Sequence, residues 1–476
     1  MTETAQQVNV DVAVIGAGTA GLAAYRTAVS HGKRAVVIES GPYGTTCARV
    51  GCMPSKLLIA AAEAAHHAAH MEPFGVSAGP VKVDGRAVMT RVKTERDRFV
   101  GFVLAGVEKI PAADKLRGHA RFVGPNELDV DGTRVHARAI VVATGSSPVI
   151  PPILTDLGDR LIVNDNVFSW DTLPSSLVVF GAGVIGLEIG QALSRLGVRV
   201  RVLGRGGSVG PLSDPVVREE ARRLLAGEFP VSPDAVVRSV KREGDQVVVE
   251  FDEVPGKTLT ERFDFAMAAA GRRPNVSGLN LAAAGIALDE RGWAKAHHTT
   301  MQVGTSHVFV AGDATNELPL LHEAADEGRI AGDNAATFPE VTPGLRRSQL
   351  GVVFTDPQMA VVGDSWRTLA GRDDVVVGQI DFGDQGRSRV MRVNRGMLRV
   401  YAEAGSGRFL GAEMVGPRAE NIGHLLAWSH QQEMTIARML TMPFYHPVIE
   451  EGLRTALRDA QAQLDERRAR DAACGR

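Results

Sequence analysis

Cysteine is scarce in this chain, with three among 476 residues. Three thiols cannot build the disulfide framework of a small secreted domain, so each needs its own explanation. A basic excess is missing as well. Lysine and arginine together number 53 and aspartate and glutamate 55, a net charge of -2. That balance lacks the cationic footprint of a nucleic-acid binder. No apolar run reaches about 18 residues, so no membrane span is expected. The opening residues, MTETAQQVNV, have neither the charged nor the apolar region of a signal peptide, and a cytoplasmic protein is expected. An apolar share of 44% excludes a disordered chain. At roughly 150 residues per domain, the length suggests about three domains.

Glycine, by contrast, is plentiful at 52 residues, and it clusters. Residues 10–15, VDVAVI, read as a buried parallel strand. GAGTAG follows, then a helical LAAYRTAVSHG and a second strand, RAVVIES. This is a βαβ unit with Gly16, Gly18 and Gly21 at its turn. The three glycines give a tight turn, close backbone approach to a pyrophosphate and close helix packing, and the helix N-terminus faces the phosphates. Glu39 ends the second strand, where a carboxylate binds ribose hydroxyls. The pattern repeats from residue 177: LVVF, GAGVIG with Gly181, Gly183 and Gly186, then LEIGQALSRLG and VRVRVLG. Here Gly204 occupies the place of the carboxylate, with Arg205 beside it. Without the carboxylate there is no repulsion of a 2′-phosphate, and an arginine pairs with one, so this site leans toward NADP(H). If Arg205 is only a solvated surface charge, the site takes NAD(H).

Helices are expected over 56–72 and 87–108, and short strands over 118–149, 231–270 and 304–313. From about 346 onward strands (GVVF, GMLRVYAE, FLGAEMVG) and two helices are expected, with the polar end, AQAQLDERRARDAACGR, fraying. The segment GTTCARVGCMPSK sets Cys47 and Cys52 five positions apart, directly after the first βαβ unit. On an ideal helix that spacing is roughly 8–9 Å at Cα, beyond the ~6.8 Å a disulfide tolerates. A bond between them requires a distorted helix start, and it would be strained and easily reduced. Two metal ligands are a second reading, but no Cys or His pair accompanies them at zinc spacing, and no metal site is expected. Two inert buried thiols are a third.

Taken with VVATG (141–145), AAGRRPN (269–275), VFVAGDA (308–314), LLHEAADEG (320–328), FTDPQMAVVG (354–363) and FYHPVIEE (444–451), this segment resembles the pyridine nucleotide–disulfide oxidoreductases. That group includes dihydrolipoamide dehydrogenase, glutathione reductase and mercuric reductase, and the likeness covers essentially the whole chain. It implies an α/β fold with two Rossmann-like dinucleotide-binding domains and an α+β dimerisation domain. The implied division is 1–150 and 271–345 for FAD, 151–270 for NAD(P), and 346–476 for dimerisation.

The resemblance further implies a Cys47–Cys52 redox disulfide, with Cys52 nearer the flavin and Cys47 exchanging with substrate. FAD would be held by the first glycine turn, Glu39, Thr144, Gly145 and Asp313, with Lys56 and Glu188 as an ion pair beside it. The second glycine turn, Arg205 and Gly271 would hold the nicotinamide nucleotide. His446 and Glu451 would be the acid–base pair, with Glu450 adjacent, and the histidine would serve the partner subunit's site in a homodimer. The implied substrate is a small thiol or disulfide, most closely dihydrolipoamide, and a lipoyl-bearing multienzyme complex is a candidate partner. An NADPH-dependent reductase of another disulfide is an alternative, as is a flavin NAD(P)H oxidase or transhydrogenase. Three departures from the family pattern stand out. Thr45 replaces a common glycine, and Tyr445 stands where a second histidine often precedes His446. The only cysteine near the C-terminus is Cys474, with no vicinal pair.

Overall fold

Residues 7–473 are described by a computed structural model; Cys474 lies outside the described residues. The N-terminal β-branched run forms β1 (Gln7–Ile15), followed by helix α1 (Thr19–Ser30) and strand β2 (Ala35–Glu39). β1 pairs in parallel with β2 on one side and with Thr133–Val142 on the other, and Val308–Val310 adds a further parallel neighbour. Val12, Val14, Val37 and Val141 are completely buried, which explains why these strands are apolar without alternation. Helix α1 lies against the helix Leu321–Thr337, and glycines allow the approach. A Cβ on Gly328 would fall 2.2 Å from the carbonyl oxygen of Ala20. This sheet belongs to the first of two units, formed by residues through Pro54, Arg91–Val149 and Gly271–Arg346.

The second unit takes Ser55–Thr90, Ile150–Ala270 and the residues from Arg347 onward. It holds a parallel five-stranded sheet in which Ser176–Phe180 lies between Arg199–Leu203 and Phe265–Ala268. An antiparallel meander, Val236–Glu243, Gln246–Val254 and Lys257–Phe263, follows from the alternating residues of that stretch. Its C-terminal part is an antiparallel sheet of five strands, ordered Leu350–Val353, Gln358–Gly363, Phe409–Gly416, Met397–Glu403 and Val375–Asp381. The helices Ala419–Gln431 and Glu451–Ala473 lie on it. Two dinucleotide-type sheets and an α+β portion are the architecture the sequence implies.

Two local expectations fail. The polar C-terminal residues up to Ala473 do not fray, since Glu451–Ala473 is one helix, and the last three lie outside the described residues. Leu453, Ala456, Leu457, Ala460 and Leu464 recur at helical spacing and are buried, so packing of this stripe carries the polar remainder. The strand Val375–Asp381 was not foreseen, because Gly378 and Gln379 interrupt its pattern. Gly378 is where the C-terminal helix approaches, since a Cβ there would lie 2.3 Å from the carbonyl oxygen of Ala456.

Candidate active site

The two glycine-rich turns have nearly the same geometry. Gly16 has φ +106, and a Cβ there would meet the carbonyl oxygen of Ala143 at 2.3 Å; Gly181 has φ +130 and would meet Ala269 at 2.2 Å. Gly21 and Gly186 would drive a Cβ into the carbonyls of Gly16 and Gly181, at 1.9 and 2.0 Å. Gly18 and Gly183, the N-caps of their helices, face open space. Each turn therefore brings bare backbone to a helix N-terminus with room in front of it, as a pyrophosphate requires.

At the first turn the room is a cavity of about 430 Å³. Ile15–Gly18, Glu39, Gly41, Thr45, Thr46, Arg49, His119, Thr144, Gly145 and Asn275 are among the residues lining it. The Glu39 carboxylate accepts Ala17 N at 2.8 Å and Gly41 N at 2.7 Å, which fixes the loop at the strand end. Thr144 Oγ1 is buried with no hydrogen-bond partner, an orphaned polar atom in the cavity wall. Cavity, bare backbone and orphaned hydroxyl together fit a dinucleotide. Asp313 accepts a 2.6 Å hydrogen bond from Ser146 Oγ, and Arg272 in turn donates to Ser146 Oγ at 2.8 Å. Neither Ser146 nor Arg272 was singled out from sequence, although Arg272 lies inside AAGRRPN. Gly271 does not line the cavity. It has φ +103, and its carbonyl accepts Val149 N, so it turns the chain.

The redox segment forms a short helix α2 (Thr46–Val50) and a long helix α3 (Cys52–Ala69), broken at Gly51. Gly51, with φ -124 and ψ -116, is the distortion that lets two cysteines at this spacing meet. The Cys47 thiol hydrogen-bonds Cys52, and no disulfide joins the two. That bond and burial hold the Cys47 thiol well above the usual range, although the N–H groups of Cys52 and Met53 favour its thiolate. Thr45 caps α2 at φ 58 and ψ 151, a region normally left to glycine, with Oγ1 accepting Ala48 N at 3.4 Å.

Lys56 Nζ donates to Glu188 Oε2 at 2.6 Å, while Glu188 Oε1 accepts Phe354 N at 2.9 Å. The ammonium also sits 4.6 Å from the Phe354 ring centroid, a contact sequence reasoning missed. Glu188 is 5% exposed, so it is a buried partner and not a helix-start charge facing water. His446 Nδ1 lies 3.0 Å from Glu451 Oε2, which settles the carboxylate register in favour of Glu451 over Glu450. Burial pushes the Glu451 carboxyl up, but hydrogen bonds from Val448 N and His446, with Arg454 nearby, hold it below the ordinary range. An ionised carboxylate only accepts, so Nδ1 donates to Glu451 and Nε2 is the ring nitrogen turned away from it. The His446 side chain is 81% exposed within one chain.

At the second turn, Gly204 is buried and cannot be replaced by an acid. A Cβ there would lie 2.8 Å from the carbonyl oxygen of Pro233 and 2.9 Å from Ala182 Cβ. Arg205 next to it is exposed, and no carboxylate among the described residues pairs with it.

Residues 10–328 match the pyridine nucleotide-disulphide oxidoreductase family, and residues 350–457 match its dimerisation domain. The chain belongs to this family. Its members use FAD and a nicotinamide nucleotide, so this protein is a flavoprotein oxidoreductase. A dihydrolipoyl dehydrogenase of Thermus scotoductus is 31% identical over 464 residues, covering 94% of this chain and 96% of that one. A mercuric reductase of Shigella flexneri is also 31% identical, over 94% of this chain and 80% of that one. LpdA from Mycobacterium tuberculosis superposes with a TM-score of 0.81 at 26% identity, covering 94% and 99% of the two chains. No helix among the described residues is long and apolar enough to cross a membrane.

Proposed function

We propose that this oxidoreductase passes electrons between a small dithiol or disulfide and NAD(P)(H) through Cys47 and Cys52, in the manner of a dihydrolipoyl dehydrogenase. The observation that carries the reading is the meeting of Cys47 and Cys52 at the helix break, thiol to thiol. In the dithiol direction a substrate thiolate attacks Cys47 of the disulfide, and the Cys47–Cys52 bond breaks. The second substrate thiol then displaces Cys47. The substrate loses two electrons and two protons, and NAD(P)⁺ ends as NAD(P)H with one proton released. FAD, when bound, supplies the two-electron relay between Cys52 and the nicotinamide.

The chain's own residues divide the remaining work. Gly16, Gly18, Gly21, Glu39, Thr144, Gly145 and Asp313 hold the flavin nucleotide. Gly181, Gly183, Gly186 and Arg205 serve the nicotinamide nucleotide. Lys56, fixed by Glu188, places a positive charge beside the flavin. Cys47 retains its proton, so exchange at this sulfur needs a base, and His446 Nε2 takes that part with Glu451 holding its tautomer. The exposed histidine serves the partner subunit's site, which makes the working unit a homodimer. The segments 1–150 and 271–345, 151–270 and 346–476 are the corresponding domains, and a lipoyl-bearing complex is a fitting partner.

A second reading, an NADPH-dependent reductase of another disulfide, draws support from Gly204 and Arg205. Steady-state assays of the purified enzyme with lipoamide, glutathione disulfide and a mercuric salt, each with NADH and NADPH, test both. Fastest turnover with lipoamide supports the first reading. Activity confined to another disulfide with NADPH supports the second. Turnover that survives Cys52→Ser would replace both with a flavin oxidase or transhydrogenase.

A further inference from the structure

Helix α2 has two faces with different duties. Thr46 and Arg49 are three positions apart and so share one face. Both line the dinucleotide cavity, whereas Cys47, Ala48 and Val50 do not. Arg49 is the one residue of that lining with a permanent positive charge. Among the described residues no carboxylate pairs with it. Glu39 lines the same cavity, but its two oxygens are taken by the N–H groups of Ala17 and Gly41. Gly44 makes way for the arginine stem, because a Cβ there would lie 3.0 Å from Arg49 Cδ. A partly buried guanidinium without a counter-charge, set in a cavity shaped for a dinucleotide, lacks an anion.

We infer that Arg49 is a phosphate ligand for the ADP half of FAD, and that this contact ties flavin occupancy to the helix bearing Cys47. The guanidinium fork matches phosphate oxygens and stays charged at every working pH. A bound phosphate would hold Arg49 and brace the helix whose opposite side presents the exchanging sulfur. The inference rests on assigning this cavity to FAD, and it concerns one side chain within that assignment.

The test uses the purified holoenzyme. FAD release is followed as flavin fluorescence after dilution into buffers of increasing KCl, for wild type, Arg49→Gln and Arg49→Lys. A lost charge-assisted hydrogen bond should raise the FAD dissociation constant of Arg49→Gln by about 10- to 150-fold. The dependence of release on KCl should also flatten, since one cation–phosphate contact is gone. Arg49→Lys should keep the salt dependence and recover part of the affinity. A residue that merely supports the fold would leave the salt dependence unchanged. If Arg49→Gln holds FAD with wild-type affinity and salt dependence, the inference is overturned and Arg49 is a solvated charge. If Arg49→Gln does not fold, Arg49→Lys decides: wild-type affinity and salt dependence keep the phosphate role, and weakened binding with no salt dependence removes it. A wild-type protein that holds no flavin would instead remove the cofactor assignment.

The brace has its own readout, the alkylation rate of Cys47 in reduced Cys52→Ser protein with FAD bound. Arg49→Gln in that background should change this rate at saturating FAD. An unchanged rate would leave phosphate binding in place and remove the link to the redox helix.

Discussion

The nicotinamide preference should reside in Arg205, for a reason the structure makes specific. At the end of the strand Arg199–Leu203 the usual ribose carboxylate is replaced by Gly204, and packing against Pro233 and Ala182 leaves no room for a side chain. With no acid there, a 2′-phosphate meets no repulsion from that position, and the unpaired Arg205 guanidinium is free to bind it. Hydrogen bonds to charged groups contribute about 1.5–3 kcal/mol, and the exposure of Arg205 places it near the lower end. About 1.4 kcal/mol is tenfold, so Arg205→Ala should lower kcat/KM for NADPH roughly tenfold while leaving that for NADH nearly unchanged. The companion variant Gly204→Glu should not convert the enzyme to NADH. Its Cβ would start 2.8 Å from Pro233. Overpacking of that kind costs about 1–3 kcal/mol. For a domain of this size that is a melting temperature lower by roughly 2–12 °C. Steady-state kinetics with both nucleotides and a thermal melt of each variant complete the test. A wild type that prefers NADH, with Arg205→Ala indistinguishable from it, would refute the reasoning. The ribose would then be held from elsewhere, for instance by Asp234, whose carboxylate lies beside Gly207.

Four further outcomes are expected. His446→Ala should slow disulfide turnover by about 10²–10⁴-fold, with stopped-flow flavin reduction nearly unchanged; mixed dimers with Cys47→Ser subunits should regain activity, and their failure to do so would contradict a shared site. Reduced Cys47→Ser should show a long-wavelength thiolate–flavin absorption band and Cys52→Ser should lack it; the reverse pattern means the sulfur roles are exchanged. Thr45 at φ 58 carries a conformational cost of about 1–3 kcal/mol, so Thr45→Gly should raise the melting temperature by a few degrees unless the Ala48 N–H contact matters more. Burial and nearby Arg195 lower the His66 pKa to about 4. The unfolded chain then binds more protons between pH 4 and about 6.5, so stability is lost as pH falls through that window. His66→Gln should flatten the urea-melt pH profile there, and an unaltered profile would show that His66 does not contribute.

Much of the site is legible in the sequence because its demands fall on single residue types. The turns at Gly16 and Gly181 need positive φ and no Cβ, which only glycine supplies, so the pattern survives in plain text. The pairing of His446 with Glu451 instead of Glu450 is not legible from spacing, and only the family resemblance points to Glu451. Both carboxylates stand at helix-start spacing, and only the fold decides which one turns toward the ring. The Arg272–Ser146–Asp313 chain is hidden for a different reason, because an antiparallel pairing between Ser146–Pro148 and Arg272–Pro274 joins two of its members and Asp313 comes from the separate turn Gly312–Thr315. Long-range pairing of three-residue strands leaves almost no periodicity to read.

The redox segment shows where sequence geometry and structure meet. An ideal helix would keep Cys47 and Cys52 apart, and the spacing alone therefore argues against a bond. Gly51 removes the contradiction by ending one helix and starting the next between the two thiols. The same break frees the first N–H groups of α3, from Cys52 and Met53, to face the Cys47 sulfur. These N–H groups favour a Cys47 thiolate, but the second sulfur and burial oppose it more strongly, so Cys47 keeps its proton until a base takes it. A reactive sulfur that must gain and lose a proton in each cycle therefore depends on a nearby base. It follows that filling Gly51 should harm the chemistry before it harms the fold. A Cβ at this position would stand 3.1 Å from the carbonyl oxygen of Thr46 and 3.3 Å from Cys47 Cα, so any movement it forces falls on the redox cysteine itself.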